Sequence, residues 1–150
     1  MLFSPHDQLN IDPLHKDALT LIQIHFVQKL SLFTMSLFYF VAGINHFWHK
    51  EFYLVIMPPW IGFHEALVII SGVCEILFAL LLLPYPTRRF AAWAIILLLI
   101  AVFPANIQMM LNYMHEHNPK LWITIVRLPI QIILVWWAYI FASKKNNLQQ

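Results

Sequence analysis

The sequence predicts an all-α fold, a polytopic membrane four-helix bundle with an apolar outer loop between helices 1 and 2. Three observations carry this prediction. Hydrophobic residues make up 61% of the 150 residues and charged residues only 11%, whereas soluble domains carry about 25% charged residues. Four apolar stretches are long enough to cross a bilayer, and the basic residues fall unevenly between the two ends of these stretches.

Composition excludes several classes of protein. A soluble domain of this size cannot bury so much apolar surface, which excludes a soluble enzyme, a nucleic-acid binder and a disordered protein. The formal net charge of +2 gives no reason to expect a polyanionic partner. The single cysteine, Cys74, excludes an intrachain disulfide and a CxxC redox motif. The partner that composition predicts is the lipid bilayer.

The predicted spans are helices, because a backbone in lipid must satisfy its own hydrogen bonds. We expect one domain over residues 1–150, with polar tails at 1–13 and 144–150. Residues 1–23 lack the basic start of a signal peptide, and helical spacing from Leu14 predicts a surface segment that leads into the first span. Each span has about the 20 residues that a crossing needs, and the spans are residues 24–46, 65–83, 90–113 and 121–142.

Basic residues predict the orientation of the spans. Two lysines, Lys50 and Lys120, fall on one side of the four spans. Six basic residues fall on the other side: Lys16, Lys29, Arg88, Arg89, Lys144 and Lys145. Because cytoplasmic loops carry the excess of Lys and Arg, we expect both termini in the cytoplasm.

The connection between the first two spans, residues 47–64, is unusual. Its middle, residues 52–63, is almost wholly apolar and includes Pro58, Pro59 and Trp60. It is too short to span the membrane and too apolar for water, so we expect it to fold back onto the bundle or to lie in the outer interface. It is either a lid over an outward-facing site or a plain interfacial anchor.

Two ionisable residues lie inside the predicted spans. Glu75 is near the centre of the second span, and Arg127 is about six residues below the outer end of the fourth. At roughly 1.5 Å per residue their depths differ by about 5–8 Å, which an arginine side chain can cover. A buried ion costs several kcal/mol by itself. The sequence therefore predicts a Glu75–Arg127 ion pair in the bundle interior.

Other polar residues are expected in the same outer half. Asn106 lies in the outer third of the third span, Gln131 follows Arg127 by one helical turn, and His46 ends the first span. The cluster is interpreted as a ligand site or as a structural clamp, and both remain open. His46 is a candidate for proton exchange. The His46-x-x-His49 spacing is a weak metal signal, and we expect no metal site.

Small residues predict where the first two spans meet. Gly43 shares a face with His46 in the first span, and Gly72 shares a face with Glu75 and Ala79 in the second. Such faces let two helices approach closely in a membrane.

Six short motifs occur in order along the chain: Gly43-Ile44-Asn45-His46-Phe47, Phe52-Tyr53 with Pro58-Pro59-Trp60, Ser71-Gly72-Val73-Cys74-Glu75, Ala91-Ala92-Trp93, Phe103-Pro104-Ala105-Asn106, and Arg127-Leu128-Pro129-Ile130-Gln131. Together they resemble the DoxX-like family of small four-helix membrane proteins, from Gly43 to Trp137. The stretch Gly62-Phe63-His64 departs from this pattern, where a proline-containing stretch is expected.

The resemblance implies a multi-pass protein of the bacterial cytoplasmic membrane, in a family named for a subunit associated with quinone-linked oxidation of sulfur compounds. The family motifs fall on the same residues as the polar cluster: His46, Glu75, Asn106, Arg127 and Gln131. Since the chain lacks paired cysteines, we expect an accessory subunit of a membrane oxidoreductase, with quinone as the candidate cofactor, and not a self-contained enzyme; no catalytic residue is assigned. The alternatives are an assembly or scaffold factor that docks another membrane protein, and a small-solute or proton transporter.

Overall fold

A computed structural model describes residues 13–143 of the protein, and within this range every regular element is a helix. The five helices are α1 (Pro13–Trp48), α2 (Lys50–Val55), α3 (His64–Leu82), α4 (Tyr85–His115) and α5 (Leu121–Ser143). Four segments are long and apolar enough to cross a membrane: Ala18–Trp48, His64–Leu82, Tyr85–His115 and Leu121–Ser143. The predicted all-α, four-span membrane fold is confirmed.

The polar tails predicted at 1–13 and 144–150 lie outside the described residues, apart from Pro13, which begins α1. The segment predicted to precede the first span is helical and runs into that span without a break. That both termini lie in the cytoplasm stays a prediction, and we call the side of the membrane at the turn between α3 and α4 the inner side.

The chain forms two compact units, residues 1–34 and residues 35–150. The described part of the first unit is the N-terminal part of α1. The second unit contains the C-terminal part of α1 and helices α2 to α5. All of the polar residues predicted to cluster lie in this second unit.

A tight inner turn joins α3 to α4. Pro84 precedes α4, and its fixed φ suits the start of a helix. Thr87 Oγ1 donates to the Leu81 carbonyl at 2.7 Å, and the Arg88 guanidinium donates to the carbonyls of Leu82 and Leu83 at 3.2 and 3.0 Å. These bonds satisfy carbonyls that the last turn of α3 leaves without helical donors. The turn therefore holds α3 and α4 antiparallel and adjacent.

Glycines set the contact between α1 and α3. A Cβ built on Gly43 would lie 2.7 Å from the Gly72 carbonyl oxygen, and a Cβ on Gly72 would lie 2.7 Å from the His46 Cβ. Ser36 lies two helical turns before Gly43 on α1, and Ala79 lies two turns after Gly72 on α3. Ser36 Oγ donates to the Ala79 carbonyl at 2.7 Å. The predicted close approach of the two spans is thus observed, and it brings α1 against the face of α3 that carries Glu75.

We expect Gly72→Ala to destabilise the protein by about 1–3 kcal/mol, because the added methyl group overpacks the contact and its nearest neighbour, the His46 Cβ, is fixed to the α1 backbone. The matched control is Gly62→Ala, since a Cβ at Gly62 meets no atom within 4 Å. Denaturation midpoints of the two variants in the same detergent check this prediction. Equal midpoints would contradict the close helix contact.

The outer connection folds back onto the bundle and includes the short helix α2, which was not predicted. Ile56 and Pro58 are buried. Lys50 forms an ion pair with Glu65 at the start of α3, and the Asn112 side chain of α4 donates to the Val55 carbonyl at 3.3 Å. His64 Nε2 lies 3.1 Å from the Pro58 carbonyl oxygen. These contacts fix the connection across the outer ends of α3 and α4.

Candidate functional site

A cavity of about 540 Å³ lies among the four spans of the second unit, and the outer connection contributes to its wall. Sites for small molecules have volumes of roughly 300–1,000 Å³. We call this space the central cavity. Most of its wall is apolar. All five residues of the predicted cluster line it, namely His46, Glu75, Asn106, Arg127 and Gln131.

An acid and an imidazole form one polar wall of the central cavity. Glu75 Oε2 of α3 lies 3.6 Å from His46 Nε2 of α1, and Glu75 is 9% exposed. His46 Nδ1 lies 3.2 Å from the Val68 carbonyl oxygen and 3.2 Å from Ser71 Oγ. The Tyr53 ring stacks on the imidazole, with ring centroids 3.9 Å apart. The imidazole is therefore fixed from three directions.

The hydrogen bonds at His46 favour one tautomer of the imidazole. The Ser71 hydroxyl donates to the Val68 carbonyl at 2.9 Å. Because this carbonyl can only accept, the tautomer with a hydrogen on Nδ1 lets His46 donate to it as well. Nε2, the other ring nitrogen, then faces the Glu75 carboxylate.

A chain of amides fixes the guanidinium on the other polar wall. Arg127 donates to Asn106 Oδ1 at 3.1 Å and to the Met109 sulfur at 3.5 Å. Asn106 Nδ2 donates to Gln131 Oε1 at 2.9 Å, and Gln131 Nε2 donates to the Leu99 carbonyl at 2.5 Å. A guanidinium has five N–H donors. Since Arg127 makes only these two side-chain hydrogen bonds in the described part of the protein, it retains donors for a ligand in the central cavity.

The predicted direct Glu75–Arg127 ion pair is wrong. Among residues 13–143, ion pairs within 4.0 Å join Glu75 to His46 and Glu65 to Lys50, and none reaches Arg127. The physical reason is that α1 crosses α3 beside Glu75, while Asn106 and Met109 of α4 take the guanidinium. Both side chains nevertheless face the central cavity, so they lie on two walls of one space.

Two buried polar atoms at the central cavity have no hydrogen-bond partner among the described residues. They are Glu75 Oε2 and the hydroxyl of Tyr39, a residue that is 2% exposed. A buried polar group without a partner costs about 1–3 kcal/mol. A ligand with polar atoms in the central cavity would remove this cost, whereas a purely structural cluster would leave it.

Tyr53 of α2 is a site residue that was not predicted with the polar cluster. It lines the central cavity, and its hydroxyl accepts a hydrogen bond from Asn45 Nδ2 at 2.8 Å. Burial raises the pKa of Tyr53, the Asn45 bond opposes this, the Glu75 charge raises the pKa further and the Arg127 charge lowers it. Both charged walls therefore act on Tyr53. Only the Phe52-Tyr53 motif pointed to this residue in the sequence.

The three residues predicted as a lid have different positions. Pro58 is fully buried, whereas Pro59 is exposed and Trp60 is 72% exposed. The residues of the connection that line the central cavity are Tyr53, Ile56, Met57 and Ile61. The residues of the connection that form the cavity wall are therefore sequence neighbours of the three predicted lid residues and not those residues themselves. A lid function stays a prediction.

His46 and His49, whose spacing gave the weak metal signal, contact different residues. His46 contacts α3, while His49 Nδ1 lies 2.8 Å from Asn45 Oδ1. Among the residues that the structure describes, no group of three or more His, Cys, Asp and Glu side chains is placed to hold a metal ion.

A family model described as "Domain of unknown function (DUF8561)" matches residues 35–142, which include every residue that lines the central cavity. No curated protein and no solved structure matches the chain. The resemblance to DoxX-like proteins stays a prediction.

Proposed function

The chain belongs to the family of unknown function DUF8561, and we propose that this multi-pass membrane protein binds a quinone in its central cavity, as an accessory subunit of an oxidoreductase in the bacterial cytoplasmic membrane. The observation that carries the proposal is that two separate polar groups, Arg127 with its amide partners and Glu75 with His46, line one otherwise apolar cavity. A quinone has the matching chemistry, since it is a flat apolar ring with carbonyl oxygens at opposite edges.

The residues of the central cavity suit the two edges of such a ring. The free donors of Arg127 suit one carbonyl oxygen, and hydrogen bonds from a charged donor are worth about 1.5–3 kcal/mol. The Tyr39 hydroxyl, which has no hydrogen-bond partner among the described residues, and the His46–Glu75 pair suit the other. The apolar side chains around them suit the ring faces and the start of a prenyl tail.

The His46–Glu75 pair has a chemical role in this proposal. Conversion of a quinone to a quinol takes up two electrons and two protons. A positioned acid or imidazole within hydrogen-bond reach transfers a proton directly. In this proposal both protons pass to the quinone through the pair, one after the other, and the pair takes up each proton from water. The electrons come from the oxidoreductase partner that the proposal includes. The motif resemblance to a family associated with quinone-linked oxidation supports the same substrate class.

The proposal is tested by purification of the protein from its native membrane in lipid nanodiscs, followed by mass spectrometry of the extracted small molecules. We expect quinone in near-equimolar amount to protein, well above its share in the surrounding lipid. The control is an unrelated four-span protein purified in the same way. Quinone at only the background level of the lipid would contradict the proposed function.

A scaffold role is the second candidate, because the outer connection exposes large aromatic side chains. Trp48, Trp60 and Phe63 are all strongly exposed. A photoreactive residue in place of Trp60 would capture a specific membrane protein if this surface docks a partner. Capture of lipid alone would favour a plain interfacial anchor.

A further inference from the structure

The exposed residues among those that line the central cavity are all apolar. They are Phe38, Leu67, Ile70, Ala101 and Ile130. All five belong to membrane spans. The polar residues of the lining are buried or half-buried.

These five residues are distributed over all four spans. Leu67 and Ile70 of α3 lie at similar distances along the chain from the inner turn as Ala101 of α4. Phe38 belongs to α1 and Ile130 to α5. At roughly 1.5 Å per residue, both lie about 15 Å from the outer ends of their helices. This depth is within the hydrocarbon layer, about 30 Å thick.

The outer connection separates the central cavity from the water on the outer side. Tyr53, Ile56, Met57 and Ile61 line the cavity there, and each is buried or half-buried. The Lys50–Glu65 ion pair and the bond from Asn112 to the Val55 carbonyl hold this segment in place.

We propose that the central cavity exchanges its ligand sideways with the hydrocarbon layer, between the spans that carry these five exposed apolar residues, and that its ligand is a molecule dissolved in the bilayer. The polar walls select the ligand by its head group, and the exposed apolar residues admit only molecules that partition into lipid. This inference rests on the proposed function in treating the cavity as a ligand site, but it does not require a quinone.

The test compares two photoreactive probes on the full chain in phosphatidylcholine vesicles: a fatty acid with a diazirine at the end of its chain, and a small water-soluble diazirine. Labelled residues are mapped by tandem mass spectrometry. Tyr39 and Ser71 line the central cavity and report entry into it. Ile95, which is fully buried on α4 and does not line the cavity, is the internal control.

We expect the fatty-acid probe to label Tyr39 and Ser71 but not Ile95, and the water-soluble probe to label none of the three. Labelling of Tyr39 and Ser71 by the water-soluble probe, or by neither probe, would overturn the inference.

Tryptophan substitutions test the route between the spans. The double variant Ala42→Trp, Ala101→Trp adds one indole a turn from Phe38 on α1 and another at the exposed lining residue of α4, and both narrow this route. The matched control is Val41→Trp, Leu97→Trp on the same two helices, where both residues are exposed and outside the lining. Loss of cavity labelling in the first variant and its retention in the control is the expected result, and unchanged labelling in a folded first variant would overturn the proposal. If the cavity is labelled from the lipid but no quinone co-purifies, the proposed function fails and the inference stands.

Discussion

Replacement of Arg127 by methionine is expected to weaken quinone binding by roughly tenfold to a hundredfold while the helix bundle stays folded. A hydrogen bond from a charged donor contributes about 1.5–3 kcal/mol, and each 1.4 kcal/mol is about a factor of ten in affinity. The fold tolerates the change because Arg127 forms no ion pair with an acidic residue in the described part of the chain. Methionine is similar in length and removes a charge from the hydrocarbon layer.

The measurement is titration of a short-chain quinone into the protein in nanodiscs. Arg89→Met is the control, since Arg89 lies near the inner turn and does not line the central cavity. It should bind the quinone as the unchanged protein does. If Arg127→Met binds quinone with unchanged affinity, Arg127 has no part in ligand binding.

Replacement of Glu75 by leucine separates a ligand site from a structural clamp. If the Glu75 pair serves to hold the bundle together, removal of one charged partner costs about 3–5 kcal/mol. In a ligand site, the buried Glu75 Oε2 has no hydrogen-bond partner until the ligand binds. Removal of the carboxylate then removes the free-energy cost of this unpartnered atom, but it also takes away the neighbour of His46 Nε2. The two changes are similar in size, and we expect the stability without ligand to change by less than about 1 kcal/mol. Quinone binding should be strongly reduced.

Unfolding in detergent and quinone titration are measured on the same Glu75→Leu preparation. The control is Glu65→Leu at the start of α3, which removes a carboxylate whose side chain is 65% exposed. It should leave quinone binding unchanged. A large loss of stability in Glu75→Leu with unchanged ligand binding would establish the clamp.

The four spans could be predicted because length and hydropathy are local properties of the sequence. The members of the polar cluster could be predicted for a similar reason, since an ionisable residue in a span is costly wherever its helix lies. The side chains that each of these residues contacts could not be predicted. The sequence gives the depth of Glu75 along its helix, but the contact partner of Glu75 depends also on which helix crosses beside it. The crossing at Gly43 and Gly72 selects His46, which the sequence placed only at a similar depth.

The outer connection shows a second limit. Pro58, Pro59 and Trp60 are conspicuous in the sequence, but the directions of their side chains depend on irregular backbone. Such backbone has no periodicity from which these directions could be predicted. Phe63, which precedes α3, adopts a left-handed φ of 58°. In this irregular segment Trp60 lies outward, whereas Tyr53 of α2 lies inward. The apolar character of the segment predicted its return to the bundle but not the residues that form the cavity wall.

A crystal structure of the protein purified from its native membrane, without removal of bound lipid, tests most directly whether the central cavity is a ligand site. We predict electron density for a flat, apolar molecule between Arg127 and the His46–Glu75 pair, with polar atoms within hydrogen-bond distance of the guanidinium and of the Tyr39 hydroxyl. A cavity that has closed, with the Glu75 carboxylate bonded directly to the Arg127 guanidinium, would contradict a ligand site.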